Sequence, residues 1–213
     1  MELKGKKIVF LGDSITEGHG TTGRDKHFVT LVGQWGECRE VKNYGIGGTR
    51  FAKQSKPSAN PRWDLDFCSR IEELDEDADI VVVFGGTNDY GHGDAPVGTF
   101  ADRDQYTFYG ACHHIMTRIH ERFPGKPVVI MTPIHRLGEA NPDCNGRPLK
   151  AYVDIIREMA EYYAIPVLDL YAESGIQPAV DIIRTTYCPD GLHPNDAGHV
   201  LLAEKIFAYL KAM

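Results

Sequence analysis

Apolar residues along the chain fall into two alternating kinds of pattern. Short, continuous, β-branched runs occur at Lys7–Gly12, Asp79–Phe84, Pro127–Thr132 and Ile165–Leu170, with a weaker one at Glu40–Tyr44. Continuous runs of this length are what strands buried on both faces need. Between them the spacing turns helical. Phe28, Leu31, Val32 and Trp35 follow i, i+3, i+4, i+7, and so do Phe108, Ala111, Cys112 and Ile115, with Ile119 a turn further. Tyr152, Ile155, Ile156 and Met159 repeat the pattern, Val200, Ala203, Phe207 and Leu210 mark a last helix, and Asp64–Leu74 predicts another. Such stripes are the core-facing sides of amphipathic helices. Strand–helix alternation predicts a parallel sheet covered on both faces. The expected fold is α/β, a three-layer αβα sandwich with a five-stranded, flavodoxin-like parallel sheet, in a single domain over residues 1–213. In such sheets ligands bind beyond the carboxyl ends of the strands. Attention therefore falls on Gly12–Gly23, Gly45–Trp63, Gly85–Arg103, Pro133–Pro148 and Tyr171–Asn195.

Composition removes several classes of function. The 213 residues include 23 Lys and Arg against 30 Asp and Glu, a net charge of −7 without a basic run. That disfavours nucleic acid and anionic membrane surfaces as partners. Ile80–Phe84, the longest purely apolar run, is far short of the roughly 18 residues of a membrane span. Ile8–Leu11 is too short for a signal-peptide core of about 7–15 residues. The five scattered cysteines contain no CxxC, which fits a reducing cytoplasm better than a disulfide framework.

Four strand ends carry candidate chemistry. The first runs into Gly12-Asp13-Ser14, where Ser14 suits either a helix cap or a nucleophile served by a base. The second ends in Gly45-Ile46-Gly47-Gly48, and the third in Gly86-Thr87-Asn88-Asp89. Glycine backbone N–H groups and the Asn88 carboxamide are neutral donors suited to a developing oxyanion, though each segment also reads as ordinary turn chemistry. The last is Asp190-Gly191-Leu192-His193, ahead of the final helix. There a carboxylate three residues before an imidazole can fix its tautomer, while Asn195 suits the helix N-cap.

These four segments, in this order, resemble the blocks of the SGNH hydrolase superfamily, the GDSL-type esterases, lipases and acylhydrolases. Gly12–Thr16 looks like the first block, with Ile15 where Leu is common. Gly48 looks like the glycine of the second, Gly86–Asp89 like the GxND third, and Asp190–His193 like the DxxH last. The resemblance implies Ser14 as nucleophile, His193 as base and then acid, and Asp190 as its orienter. It implies an oxyanion hole from the N–H groups of Ser14 and Gly48 and the Asn88 amide, with Gly47 competing for the glycine position. It also implies a serine esterase working through an acyl-enzyme without metal or organic cofactor. The blocks are shared by lysophospholipases and thioesterases and select neither substrate nor oligomeric state.

Other features carry rival readings. Gly18-His-Gly-Thr-Thr-Gly23 matches GxGxxG literally, which raises an NAD-dependent oxidoreductase. The dinucleotide fingerprint, however, opens directly after a strand and runs into a helix. A binding module that kept the fold would not need the whole Ser, Asn, Asp and His set. Adjacent His113 and His114 point to different helix faces and make no two-ligand metal site. The post-strand loops offer Trp63, Tyr90, His92, Asp94, Tyr106, His135, Arg136, Asn141 and Asn145 but no apolar run to line an acyl groove. They predict a small-molecule ester of a short acyl group, acetyl above all, on a polar or carbohydrate alcohol. Asp13, Tyr90, His92, His135 and Arg136 are the expected substrate-binding side chains.

Overall fold

The computed structural model describes residues 1–213. Five strands, β1 (Lys7–Gly12), β2 (Glu40–Gly45), β3 (Ile80–Phe84), β4 (Val128–Met131) and β5 (Val167–Leu168), form one sheet in the order β2-β1-β3-β4-β5. All pairings are parallel. Period-2 alternation divides the strand residues between two cores. Val9, Leu11, Val81, Val83 and Ile130 face α3 (Phe67–Arg70), α5 (Phe108–Arg122) and α6 (Leu149–Tyr162). Ile8, Phe10, Val82, Phe84 and Met131 face α2 (Phe28–Trp35) and α9 (Asp196–Ala212) on the other side. This is the expected three-layer sandwich. Its strand order reverses between β1 and β3, where a doubly wound sheet leaves its crevice.

Four elements differ from the periodic reading. Asp64–Leu74 is no continuous helix: a 3₁₀ turn at Pro61–Asp64, the short α3 and a second 3₁₀ turn at Ile71–Glu73 replace it. Asn60 and Asp66 each cap a following N–H, from Arg62 and Ser69, and so restart the chain twice. β5 shrinks to two residues because Pro166 has no N–H to pair and Asp169 caps α7 (Leu170–Glu173). The long loops after β3 and β5 contain helices, α4 (Thr87–His92) in the first and α7 with α8 (Asp181–Tyr187) in the second. In α9 the buried stripe is His199, Leu202, Ala203, Ile206 and Leu210, while Val200 is exposed. Phe207 instead meets Trp35 edge to face nearer the surface.

Candidate active site

β1 delivers the chain into a tight turn whose Asp13 caps α1 (Ser14–Glu17), its carboxylate accepting the Ile15 N–H at 3.0 Å. Ser14 is thus the first helical residue, and its own N–H has no acceptor within the protein. Across the cleft, Asn195 caps α9 by accepting the Gly198 N–H, which holds the preceding Asp190–His193 turn. The Ser14 hydroxyl lies 3.0 Å from His193 Nε2, and His193 Nδ1 lies 2.7 Å from Asp190 Oδ2. The other Asp190 oxygen accepts the N–H groups of Leu192 and His193 at 2.8 and 2.7 Å. Burial works against the Asp190 charge, but these hydrogen bonds outweigh it and hold the carboxyl below its usual range. With Nδ1–H donating to Asp190, Nε2 is left free to accept from Ser14.

The donors converge from β2 and β3. Asn88, in the first turn of α4, gives one amide hydrogen to Thr49 O at 3.0 Å and keeps the other. Of the two competing glycines, Gly47 spends its N–H on Glu17 Oε2 at 2.6 Å. The Gly48 N–H has no acceptor in the protein. Gly48 also needs to be glycine: its φ is +78°, and a Cβ there would come within 2.0 Å of the Trp63 ring. Ser14, Gly48, Asn88, His92, Trp63 and His193 are among the residues lining a cleft of about 280 Å³.

Four of the five expected substrate-binding side chains do not line that cleft. Asp13 is 2% exposed and serves as a cap. The Tyr90 hydroxyl donates to Gly138 O and Asn141 O, bracing the loop after β4. Arg136 lies over the Tyr90 ring and donates to Thr87. His135 pairs with Glu139 and packs on Tyr171. Each finds its partner inside the protein, so these loop side chains bind the scaffold. His92 does line the cleft, with its imidazole held low by desolvation and then by the Arg50 guanidinium.

Three supporting residues hold the loop that carries Gly48 and its neighbours. Arg70, 2% exposed and without a carboxylate partner, donates to Gly12 O, Tyr44 O, Leu65 O and Thr49 Oγ1. It thereby ties the ends of β1 and β2 to the loop that carries Gly48. Asp89 accepts the N–H groups of Phe51 and Ala52 at 2.9 and 3.0 Å, fastening the same loop to α4. Glu17 holds Gly47, pairs with Arg62 and lies 3.2 Å from His19. Asp89 closes the GxND block and Glu17 follows the first block, but a buried arginine in a broken amphipathic stretch leaves no local mark.

The GxGxxG run does not follow the dinucleotide pattern. Gly18 ends α1, and the segment continues into a 3₁₀ turn at Arg24–Lys26. A 2-1-3-4-5 parallel sheet with Ser, Gly and Asn at the ends of its first three strands and Asp–His ahead of the last helix defines a hydrolase of the SGNH type. The model of the GDSL-like lipase/acylhydrolase family matches residues 10–201, and the chain belongs to that family and is a carboxylic ester hydrolase. A protein from Lactobacillus plantarum is similar at 30% identity and a TM-score of 0.85, with 98% of each chain covered. The lipase/acylhydrolase from Enterococcus faecalis is similar at 25% identity and a TM-score of 0.67, over 97% of this chain and 96% of that one. A member of the lipolytic G-D-S-L family from Veillonella parvula, at 18% identity and a TM-score of 0.66 over 97% and 99%, shares the fold. No match was found among curated proteins. No helix is long and apolar enough to cross a membrane.

Proposed function

We propose that the protein is a serine esterase that cleaves short-chain esters, acetyl esters first, of a polar or carbohydrate alcohol. The observation that carries this is the hydrogen-bonded line from Ser14 through His193 to Asp190, facing unspent N–H donors. His193 Nε2 takes the Ser14 proton as Oγ attacks the carbonyl carbon. The carbonyl π electrons move onto oxygen, and the N–H groups of Ser14 and Gly48 and the free Asn88 amide hydrogen stabilise the charge there by hydrogen bonding. Collapse expels the alcohol, protonated by His193. Water then attacks the acyl-enzyme with His193 again as base, releasing the acid and regenerating Ser14.

Trp63 and Leu192 are the apolar members of the cleft lining, among polar residues and glycines. That supports a small polar ester over a lysophospholipid, whose long chain needs a continuous apolar groove worth about 0.8 kcal/mol per buried CH₂. Five unpaired cysteines fit a cytoplasmic location. The test is p-nitrophenyl acetate and acetylated xylose hydrolysis together with fluorophosphonate labelling. Ser14→Ala is expected to abolish both turnover and labelling while the fold, followed by circular dichroism, is kept. Near wild-type kcat in that variant removes Ser14 as nucleophile.

A further inference from the structure

One wall of the cleft has no part in the chemistry above. In a tetrahedral adduct on Ser14 three directions are taken. One is the bond to Oγ, one is the oxyanion turned toward Gly48 and Asn88, and one is the leaving oxygen, which must face His193 for its proton. The acyl chain takes the fourth, along the part of the cleft wall those three leave free.

Trp63 and His92 line that cleft beside Gly48 and Asn88. The Trp63 indole packs directly on Gly48, so that even a single Cβ on the glycine would lie 2.0 Å from Cδ1 and 2.3 Å from Nε1. His92 follows Asn88 by one helical turn in α4, and its ring packs on Trp63 with centroids 4.7 Å apart. A buried guanidinium holds the segments that carry both rings. Arg50, 3% exposed, donates through Nη1 to His92 O at 3.3 Å and reaches His92 Nδ1 at 3.3 Å. Through Nη2 it donates to Trp63 O at 3.2 Å, Ser58 Oγ at 2.7 Å and Asp64 Oδ1 at 2.8 Å. Trp63 thus sits on a turn anchored at its own carbonyl and on the next residue's carboxylate. Its ring has no room to move toward Gly48.

We infer that the Trp63 indole, packed on His92 and held through its backbone carbonyl by Arg50, sets the acyl-length limit, admitting acetyl and excluding chains of four carbons or more. The assignment rests on Ser14 being the esterolytic nucleophile. Removing the indole frees the direction the acyl chain takes, and each methylene newly buried there is worth about fourfold in kcat/KM.

The experiment measures kcat/KM for p-nitrophenyl acetate, butyrate and octanoate in the wild type, Trp63→Ala and Trp63→Phe. The wild type is expected to lose at least about tenfold from acetate to butyrate. In Trp63→Ala the butyrate-to-acetate ratio is expected to rise roughly tenfold or more. Trp63→Phe, which keeps an aromatic ring, is expected to move it in the same direction by less. The Phe variant decides the matter if the Ala variant does not fold. A wild type active on acetate, with the same chain-length ratio in both variants, overturns Trp63 as the limit and leaves the esterase reading intact. A wild type inactive on every ester and unlabelled by fluorophosphonate overturns the esterase reading and the limit with it.

Discussion

Asp190 uses both carboxylate oxygens within its own turn, one on the His193 ring and one on two backbone N–H groups. No second acceptor reaches His193 Nδ1, so the ring's tautomer depends on this single carboxylate. Asparagine in its place can present an N–H to Nδ1, which would move the ring proton to Nε2 and leave Ser14 without a base. Asp190→Asn is therefore expected to lower kcat by about 10³–10⁴, as loss of an orienting carboxylate does in hydrolases with this arrangement. Steady-state kinetics on p-nitrophenyl acetate checks it, and a loss below tenfold means that something other than Asp190 orients the imidazole. At this scale the sequence was informative where a side chain acts at the end of its strand. Ser14, Asn88, Asp190 and His193 come together in the structure as their spacing suggested. It misled for Asp13, Tyr90, His135 and Arg136, because polar residues in a loop near the cleft are satisfied by that loop as readily as by a ligand.

The elements that carry these residues are held by a buried cation. Arg70 reaches the last carbonyls of the β1 and β2 region and Thr49 from α3, while its guanidinium lies 4.7 Å from the Phe67 ring centre. Desolvation pulls its proton affinity down to about 10, against the field of Asp13 and other carboxylates. Replacing it by leucine removes four hydrogen bonds; Gly12 O keeps the Ile46 N–H and the Thr49 hydroxyl keeps Ile46 O, while a carbonyl left with no donor and no water costs about 1–3 kcal/mol. Arg70→Leu is expected to cost about 3 kcal/mol or more in urea denaturation, with the activity of the remaining folded fraction also reduced because the Gly48 loop loses its anchor. A loss under 1 kcal/mol would mean that water replaces the guanidinium. Periodicity could not find this residue. Helical and strand patterns report which face is apolar, and Arg70 is buried by the carbonyls it serves. The same limit explains the stretch from Asp64 to Leu74, where two caps divide what a hydrophobic count reads as one helix. β1, β3 and β4 were legible because both of their faces are covered, which leaves a continuous apolar run.

Over the whole molecule the buried carboxyls oppose the surface ones. Burial raises Asp13 to about 6, with the Ile15 N–H and the His193 and Arg70 charges pulling back, and raises Asp89 to about 7 against the Ala52 and Phe51 N–H groups. An unfolded Asp titrates near 3.9, so from there upward the folded state binds the extra protons. The contribution of these two groups is present below about pH 4 and is lost as pH rises through about 6 and 7. His199, lowered to about 4 by burial and then by His27, works the other way, its contribution being lost as pH falls toward 4. The difference between wild type and Asp89→Asn isolates one group. The variant is expected to gain stability relative to wild type as pH rises from 4 to 7.5, read by urea midpoints. A constant gap would show that Asp89 is already ionised at the low end. The hydrogen bond between Ser14 and His193 spans 179 positions of sequence. His193 is held by a turn capped onto α9, and Thr22 beside the Ser14 segment is bound to Asp196 of that same helix. Recovery of ester hydrolysis during refolding therefore reports the docking of the last helix, because the Asp190–His193 turn reaches Ser14 only when α9 is in place.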